Sequence, residues 1–399
     1  MLERYWLDST GSYIYVDRTV PLFLTQNETT LLLTAEIREP YIRKANKTIL
    51  KYRYCSFENA KKAQLDAIST VFAKPGWVPD RGMVQYPIWS TWAVYKSNIS
   101  ERSVYEYASS IKQHEFPNSV LEIDDMWETC YGSLTIDTKR FPDMKRHVSE
   151  LKRLGYRVTL WAHPFINEGC EPTYTIAREA GYLVKSQNGS LHTRWWNGDA
   201  AIIDFTNAAA AKWFANRLKK VQNDTGFDSF KFDAGESSYS PQVPVYANMS
   251  DDHPDTYLRA YVQTLNEFGN MIEIRVATGI QDISPLLRMN DRNTKWSGPL
   301  AFDTMIPALL QMNIVGYPFV MPDMIGGNGY NDDVLTEEMY VRWVQLNVFM
   351  PVLQFSLPPW TFSPEVRIGR IFFRHSCTEF DERCEYSFYP FHLSGSRNH

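Results

Sequence analysis

The chain has 399 residues and a net charge of −5, because its 46 acidic residues outnumber its 41 lysines and arginines. A mildly acidic chain without a basic block lacks the charge pattern of a nucleic-acid-binding protein. The longest apolar stretch, residues 305–322, is interrupted by Gln311, Asn313, Gly316 and Pro318, which excludes a membrane span there.

The first part of the chain, residues 1–80, is predicted to be rich in β-strands. Short apolar or alternating runs lie between glycine, asparagine and proline breaks, which is typical of strands joined by turns. The predicted strands are Tyr13–Val16, Leu22–Leu24, Leu31–Thr34 and Thr48–Tyr52.

Strands and amphipathic helices alternate through residues 81–366. About eight alternations in this length are typical of an α/β fold, the (β/α)8 TIM barrel. A doubly wound open sheet is the alternative, but the glycine-rich turn that usually follows its first strand is absent. The predicted strands are Pro87–Val94, Val120–Met126, Arg157–His163, Ala200–Phe205, Ser229–Asp233, Ile272–Ala277, Tyr317–Met321 and Val352–Phe355, and the clearest helices are Met144–Leu154, Ala208–Val221, Asp255–Phe268 and Glu337–Phe349.

Polar residues stand at the ends of five predicted strands. In barrel enzymes the catalytic groups lie at the C-terminal ends of several strands, so we expect these residues to meet at one mouth of the barrel. They are Asp124-Asp125, His163, Asp233 to Glu236, Arg275 and Asp323.

Two of these acidic segments have the pattern of a sugar-processing site. Lys231 lies two residues before Asp233 and therefore on the same face of the strand, where its charge would keep Asp233 ionised and could bind a hydroxyl. Asp124-Asp125 stands beside Trp127 and suits hydroxyl binding next to a stacked ring. A structural ion pair and a surface turn are the respective alternatives.

Tryptophans concentrate near the same strand ends, which favours a carbohydrate pocket over a metal or cofactor site. Glycosidases need two carboxylates, and the spacing leaves Asp291, Asp303 and Asp323 open as partners of Asp233. His163 has no second histidine at metal-ligand spacing, so neither a metal nor a cofactor is predicted. The tryptophans are Trp89, Trp92, Trp127, Trp161, Trp195 and Trp196.

Cysteines and sequons bear on the compartment. Five dispersed cysteines do not suggest a disulfide scaffold, whereas six N-x-S/T sequons favour the lumen of the secretory pathway (endoplasmic reticulum or Golgi) or the cell exterior. Because residues 1–20 contain no apolar signal core, we expect the chain to be part of a longer protein.

Three long motifs make the chain resemble glycoside hydrolase family 31, closest to its myogenesis-regulating glycosidase branch. They are Phe230-Lys-Phe-Asp-Ala-Gly-Glu236, the segment 288–296 (RMNDRNTKW) and the segment 314–327 (IVGYPFVMPDMIGG), with support from segments 87–92, 121–127 and 354–360. The resemblance covers roughly residues 1–366.

The resemblance implies a retaining α-glycosidase in which Asp233 is the nucleophile. Many members carry the acid/base in a Trp-x-Gly-Asp motif, but here Pro299 stands in place of that aspartate. In the branch resembled, an earlier aspartate serves, and it matches Asp291, with Asp303 as a distant second. We expect Asp291 to be protonated at rest, with a raised pKa.

The resemblance also implies the substrate-binding residues and a preference for terminal α-galactose. An α-glucosidase or α-xylosidase, and a glycan-binding protein without turnover, are the alternatives.

Family members carry a full β-sandwich before the barrel, β-domains after it and, in this branch, a membrane anchor. Residues 1–80 are thus interpreted as the end of a β-sandwich and residues 367–399 as an atypical tail, and a homodimer is compatible with this reading. The expected substrate-binding residues are Trp89, Asp124, Asp125, Trp127, Trp161, Trp196, Lys231 and Arg275.

Overall fold

The computed structural model describes residues 3–41, 48–249, 255–283, 285–331 and 333–362, so the predicted tail 367–399 lies outside the described residues. Its first elements are β1 (Tyr5–Leu7), β2 (Ser12–Val16), β3 (Leu22–Gln26), β4 (Leu31–Ala35), β5 (Tyr52–Ser56), α1 (Ala60–Thr70) and α2 (Arg81–Gln85). The barrel region contains β6 (Ile88–Ser90), α3 (Trp92–Tyr95), α4 (Glu101–Gln113), β7 (Val120–Ile123), α5 (Met144–Arg153), β8 (Arg157–Ala162), β9 (Phe165–Asn167), α6 (Thr173–Glu179), β10 (Lys185–Ser186), β11 (Thr193–Trp195), β12 (Gly198–Ile202), α7 (Ala208–Thr225), β13 (Ser229–Phe232), β14 (Pro244–Val245), α8 (Asp255–Leu265), β15 (Glu273–Ile274), β16 (Leu286–Arg288), α9 (Met305–Ile314), β17 (Val320–Met321), α10 (Glu337–Asn347) and β18 (Gln354–Phe355).

The N-terminal strands form two small antiparallel sheets, which fit the remnant of a β-sandwich. One sheet has the order β1-β2-β5, and β3 pairs with β4 as a hairpin. Three of the four predicted strands coincide with β2, β3 and β4. The fourth, β5, begins at Tyr52 rather than Thr48.

Eight parallel strands form a nearly closed barrel, which confirms the predicted fold. Their order around the sheet is β17-β16-β15-β13-β8-β7-β6-β18. A parallel bridge between Met324 and Gln354 joins the two ends of this sheet. The C-terminal ends of the strands therefore meet at one mouth.

One predicted barrel strand is wrong. The segment predicted as Ala200–Phe205 is β12, which pairs antiparallel with β9 and β11 in a separate three-stranded sheet. The eighth strand of the barrel is instead β16, Leu286–Arg288, which lies between β15 and β17, has only three residues and was not predicted. A short apolar run does not show whether its neighbours are parallel or antiparallel, and three residues are too few to show a period.

The helices follow the sequence pattern more closely. α5, α7, α8 and α10 all lie where apolar residues recur at helical spacing. In α7 the Asn207 side chain accepts hydrogen bonds from the backbone of Ala209 and Ala210, and Gly226, with φ of 86°, ends the helix. None of the helices in the described ranges combines the length and the apolar character needed to cross a bilayer.

A disulfide joins Cys130 to Cys170, with 5.5 Å between their Cα atoms. The sequence does not suggest a disulfide scaffold and leaves single pairings open; the loop after β7 and the segment after β9 bring these two distant cysteines together. Cys55 is a free thiol, and Cys377 and Cys384 lie outside the described residues.

Candidate active site

A cavity of about 500 Å³ opens at the C-terminal ends of the barrel strands. The topology explains why residues distant in the sequence meet there, since all but Trp196 lie in or shortly after the parallel strands β7, β8, β13, β15 and β16, whereas Trp196 follows β11 of the small antiparallel sheet. The cavity lining contains eight of the residues predicted for the site: Asp124, Asp125, Trp161, Trp196, Lys231, Asp233, Arg275 and Asp291.

Asp233 follows β13 directly, and its carboxylate is held by three donors. Arg275 Nη1 and Arg288 Nη2 lie 3.1 and 2.8 Å from Oδ1, and Trp161 Nε1 donates to Oδ2 at 3.0 Å. Burial alone would raise the pKa of Asp233, but Arg275, Arg288 and Lys231 outweigh it and hold this pKa well below its usual range. Asp233 is therefore a buried, ionised and oriented carboxylate, as a nucleophile must be.

The turn after Asp233 fixes the direction of its carboxylate. Ala234 and Gly235 both have left-handed backbone angles, with φ of 57° and 96°. A Cβ atom on Gly235 would lie 2.6 Å from the Tyr261 ring, and the Tyr261 hydroxyl donates to the Asp233 carbonyl at 2.9 Å. A glycine is required here by both the conformation and the close approach.

Asp291 lies three residues after β16 and faces the same cavity. Its Oδ1 is 2.9 Å from Arg288 Nη1 and 3.5 Å from Arg275 Nη1, and its Oδ2 accepts a hydrogen bond from the Tyr330 hydroxyl at 2.6 Å. Burial raises the pKa of Asp291, as does the charge of Asp233, but Arg288, Arg275 and the Tyr330 hydrogen bond outweigh both and lower it. The expectation of a raised pKa is thus wrong for the substrate-free site.

Arg288 and Tyr330 are site residues that the sequence argument missed. Arg288 contacts Asp233 and Asp291 with adjacent nitrogens of one guanidinium and so holds the two carboxylates together. Tyr330 also accepts a hydrogen bond from Trp92 Nε1 at 3.0 Å, which fixes its hydroxyl against Asp291. Arg288 is the first residue of the motif that contains Asp291. Its presence in that motif is the sequence signal that could have identified Arg288 as a site residue.

The Asp124-Asp125 pair lies across the cavity and is linked to β13 through Lys231. Lys231 Nζ donates to Asp124 Oδ2 at 2.9 Å, whereas Asp125 Oδ2 accepts from Tyr131 and Asn197, both at 3.1 Å. The buried Oδ1 atom of Asp125 has no hydrogen-bond partner. Burial and the neighbouring Asp124 raise the pKa of Asp125 to about 6. Both acids line the cavity and form its acidic wall.

One wall of the cavity is aromatic. Trp196 is 43% exposed, and the Arg275 guanidinium carbon lies 4.9 Å from the centre of its ring. Arg275 Nε in turn donates to Glu236 Oε1 at 2.7 Å. A flat, partly open indole beside charged groups suits stacking against the apolar face of a sugar ring.

Trp89 and Trp127 do not take part in the cavity. Both are fully buried, with Trp89 stacked on Phe355 and bonded to the Pro117 carbonyl, and Trp127 donating to the Trp161 carbonyl. Their interpretation as substrate-binding residues is corrected, because a tryptophan near a strand end can equally fill the space between the barrel and its helices.

Two of the acids considered as partners of Asp233 lie elsewhere. Asp303 is exposed and does not line the cavity. Asp323 is fully buried and accepts from the Arg292 backbone at 2.8 Å and from Asn328 at 2.7 Å, which is a structural role. His163, also predicted at the mouth, is buried against Glu128, 3.0 Å away.

Beneath the cavity lies a layer of charged residues inside the barrel. Glu122 accepts from Gln354 at 2.7 Å, and Glu273 lies 2.7 Å from Arg288 Nε and 4.0 Å from Lys231 Nζ. Burial and the charge of Glu122 raise the pKa of Glu273 well above its usual range. This layer holds Lys231 and Arg288, two of the three cations that contact the cavity carboxylates.

Comparison with known proteins finds relatives of the barrel that carries this cavity. The family model for the glycosyl hydrolases family 31 TIM-barrel domain matches residues 83–367. The chain is 37% identical over 383 residues to the myogenesis-regulating glycosidase of Mus musculus, covering 92% of this chain and 53% of that protein. It is 27% identical over 310 residues to an alpha-xylosidase of Emericella nidulans, covering 75% of this chain and 38% of that one.

Solved structures share the fold. A family 31 dextranase of Flavobacterium johnsoniae, complexed with isomaltotriose, has a TM-score of 0.73 at 18% identity and covers 92% of this chain and 47% of its own. An alpha-xylosidase from a soil metagenome, complexed with xylose, has a TM-score of 0.69 at 24% identity, with coverage of 87% and 51%. The chain spans about half the length of the first two curated relatives, 53% and 52%. The family match covers most of the chain, which therefore belongs to glycoside hydrolase family 31.

Proposed function

We propose that the chain carries the catalytic barrel of a retaining exo-α-galactosidase, with Asp233 as the nucleophile and Asp291 as the acid/base. The observation that supports this most directly is the pair of carboxylates that share the Arg288 guanidinium in one cavity. Retaining glycosidases hold their two carboxyl groups about 5–5.5 Å apart, and a shared guanidinium holds two carboxylates close to each other.

In the first step, Asp233 attacks the anomeric carbon and forms a glycosyl ester. The glycosidic C–O bond breaks, and the leaving oxygen takes the proton of Asp291. In the second step, Asp291 accepts a proton from water, whose oxygen attacks the anomeric carbon and releases Asp233.

The change in charge during this cycle adjusts Asp291 to its two roles. The negative charge of Asp233 raises the pKa of Asp291 before the attack, and a bound sugar adds to the desolvation that acts in the same direction. Esterification removes the charge on Asp233, so the pKa of Asp291 falls when it must act as a base. The two arginines favour the ionised form throughout.

The preference for galactose is supported by the Asp124-Asp125 pair. Its Asp-Asp-x-Trp arrangement resembles that of α-galactosidases, where the acids bind the 4- and 6-hydroxyls. Asp124 and Asp125 both line the cavity, where a bound sugar would meet their carboxylates.

An α-xylosidase is the second candidate, because a curated relative and a solved structure of similar fold carry that name. Xylose lacks the 6-hydroxymethyl group, so it would leave one hydroxyl contact of the acidic pair unused. Relative rates on matched galactosides, glucosides and xylosides separate these activities.

We also propose a location in the secretory pathway. The disulfide Cys130–Cys170 is typical of an oxidising compartment. The sequon asparagines within the described residues are all exposed: Asn27, Asn98, Asn188, Asn223 and Asn248, whereas Asn46 lies outside them. A loss of mass on treatment with a peptide N-glycosidase would support this location, and an unchanged mass with free thiols at both cysteines in the natural protein would contradict it.

Labelling with a 5-fluoro-α-galactosyl fluoride, followed by peptide mass mapping, tests the proposed function. We expect a galactosyl adduct on Asp233 that is absent from Asp233→Asn, whereas Asp303→Asn serves as a matched control because Asp303 lies outside the cavity. Labelling by only the glucose or xylose analogue would keep the mechanism and overturn the sugar. A folded chain that binds galactosides without any adduct would identify a glycan-binding protein instead.

A further inference from the structure

A second cluster of polar side chains lies on the flank of the barrel, away from the active site. It consists of Glu101 at the start of α4 and of His147 and Glu150 on α5. One ligand atom from each of the three residues lies within 4.8 Å of the other two. His147 and Glu150 are three residues apart and therefore on the same face of α5.

His147 makes this more than an acidic surface patch. Its exposure is 0%, and neither ring nitrogen has a hydrogen-bond partner. A neutral imidazole nitrogen is the form of histidine that binds metals. A buried polar group without a partner is costly, and a ligand on one of these nitrogens would remove that cost.

The two carboxylates also provide oxygen atoms as ligands. Arg146 contacts Oε1 of Glu101 and, at 2.9 Å, Oε1 of Glu150, which leaves Oε2 of Glu150 for an ion, whereas Oε2 of Glu101 also accepts a long hydrogen bond from the Asp143 backbone at 3.4 Å. The three residues also line a cavity of about 730 Å³, through which an ion and a water molecule could enter. The positive charge of Arg146 balances part of the acidic charge.

We propose that Glu101, His147 and Glu150 form a binding site for one zinc ion that links α4 to α5. One imidazole and two carboxylates are ligands that zinc accepts, and a water molecule from the cavity would complete a tetrahedral set. The imidazole argues against calcium and magnesium, which prefer oxygen ligands only. The site is independent of the glycosidase chemistry, because none of its residues lines the catalytic cavity.

Titration calorimetry of the full chain, stripped with a chelator and then supplied with zinc chloride, tests this site. We expect one bound zinc per chain. His147→Gln should weaken binding by more than about tenfold, because loss of an outer-shell partner alone commonly costs that much. His192→Gln is the matched control, since Glu168 and Asp199 lie on opposite nitrogens of that exposed ring and do not converge on one ion.

If His147→Gln does not fold, two further measurements test the site. They are zinc binding by the variant Glu150→Gln and X-ray absorption at the zinc edge. Glu150→Gln should also weaken binding, and the spectrum should show nitrogen and oxygen ligands at about 2.0–2.2 Å. Absence of binding, unchanged binding in Glu150→Gln, loss of binding in Asp233→Asn, or a sulfur ligand at about 2.3 Å would each overturn the proposal.

Discussion

The disulfide between Cys130 and Cys170 should contribute a large share of the stability of the barrel. The two cysteines are 40 residues apart, and the loop that they close contains α5 and the barrel strand β8. Loop-closure entropy for about 40 residues corresponds to about 4 kcal/mol at 25 °C. Replacing both cysteines by serine should therefore lower the free energy of unfolding by about this amount, out of a total of about 5–15 kcal/mol for a typical native protein.

Urea unfolding, followed by tryptophan fluorescence and by circular dichroism, measures this difference. Replacing both cysteines avoids a new free thiol, and Cys55→Ser is the matched control because Cys55 is unpaired. The free energies are compared only if both probes give coincident transitions. A decrease below about 1 kcal/mol would contradict the reasoning, because it would mean that the unfolded loop gains little freedom when the bond is absent.

Three further substitutions test the catalytic cavity and its support. Tyr330→Phe removes a hydrogen bond that lowers the pKa of Asp291. The alkaline limb of the pH profile of kcat/KM should therefore move to higher pH, and a limb that stays in place or moves to lower pH would contradict the role of Tyr330. Gly235→Ala should cost about 1–3 kcal/mol of stability in a urea titration, because the new methyl group meets Tyr261 in a left-handed turn; an unchanged midpoint would exclude this strain. Trp196→Ala should raise KM roughly two- to tenfold with little change in kcat, and a fall in kcat alone would contradict a stacking role.

The sequence was sufficient to predict the barrel because its strand–helix alternation and its motifs extend over most of the chain. β16 was missed for a physical reason. Its three residues pair along β15 and β17, so its position depends on neighbours rather than on a pattern within itself. Ala200–Phe205 was misplaced for the converse reason, since an apolar strand of the small antiparallel sheet looks the same in sequence as a barrel strand.

Most of the charged residues predicted for the site line the cavity, with Asp323 and His163 as exceptions, whereas fewer of the tryptophans do. Asp233 and Asp291 are identified by motif and by position, and both reach the cavity. Trp89 and Trp196 both lie near strand ends in the sequence, yet only Trp196 faces the cavity, because packing against Phe355 decides the direction of Trp89. The ionisation of Asp291 could not be predicted, since it depends on the distances to Arg288 and Tyr330.

Glu3, the first described residue, contacts the segment after β15 and the residue Tyr317 that precedes β17. Glu3 Oε1 accepts hydrogen bonds from the Tyr317 hydroxyl at 2.6 Å, from Gln281 at 3.1 Å and from the Gly279 backbone at 2.6 Å. The family match begins only at residue 83, so a recombinant barrel designed from that boundary would remove this acceptor from three buried donors. The boundary of the family model therefore cuts through a hydrogen-bonded contact of the barrel, and we expect a barrel that begins at residue 83 to unfold at a lower temperature than one that keeps the N-terminal segment.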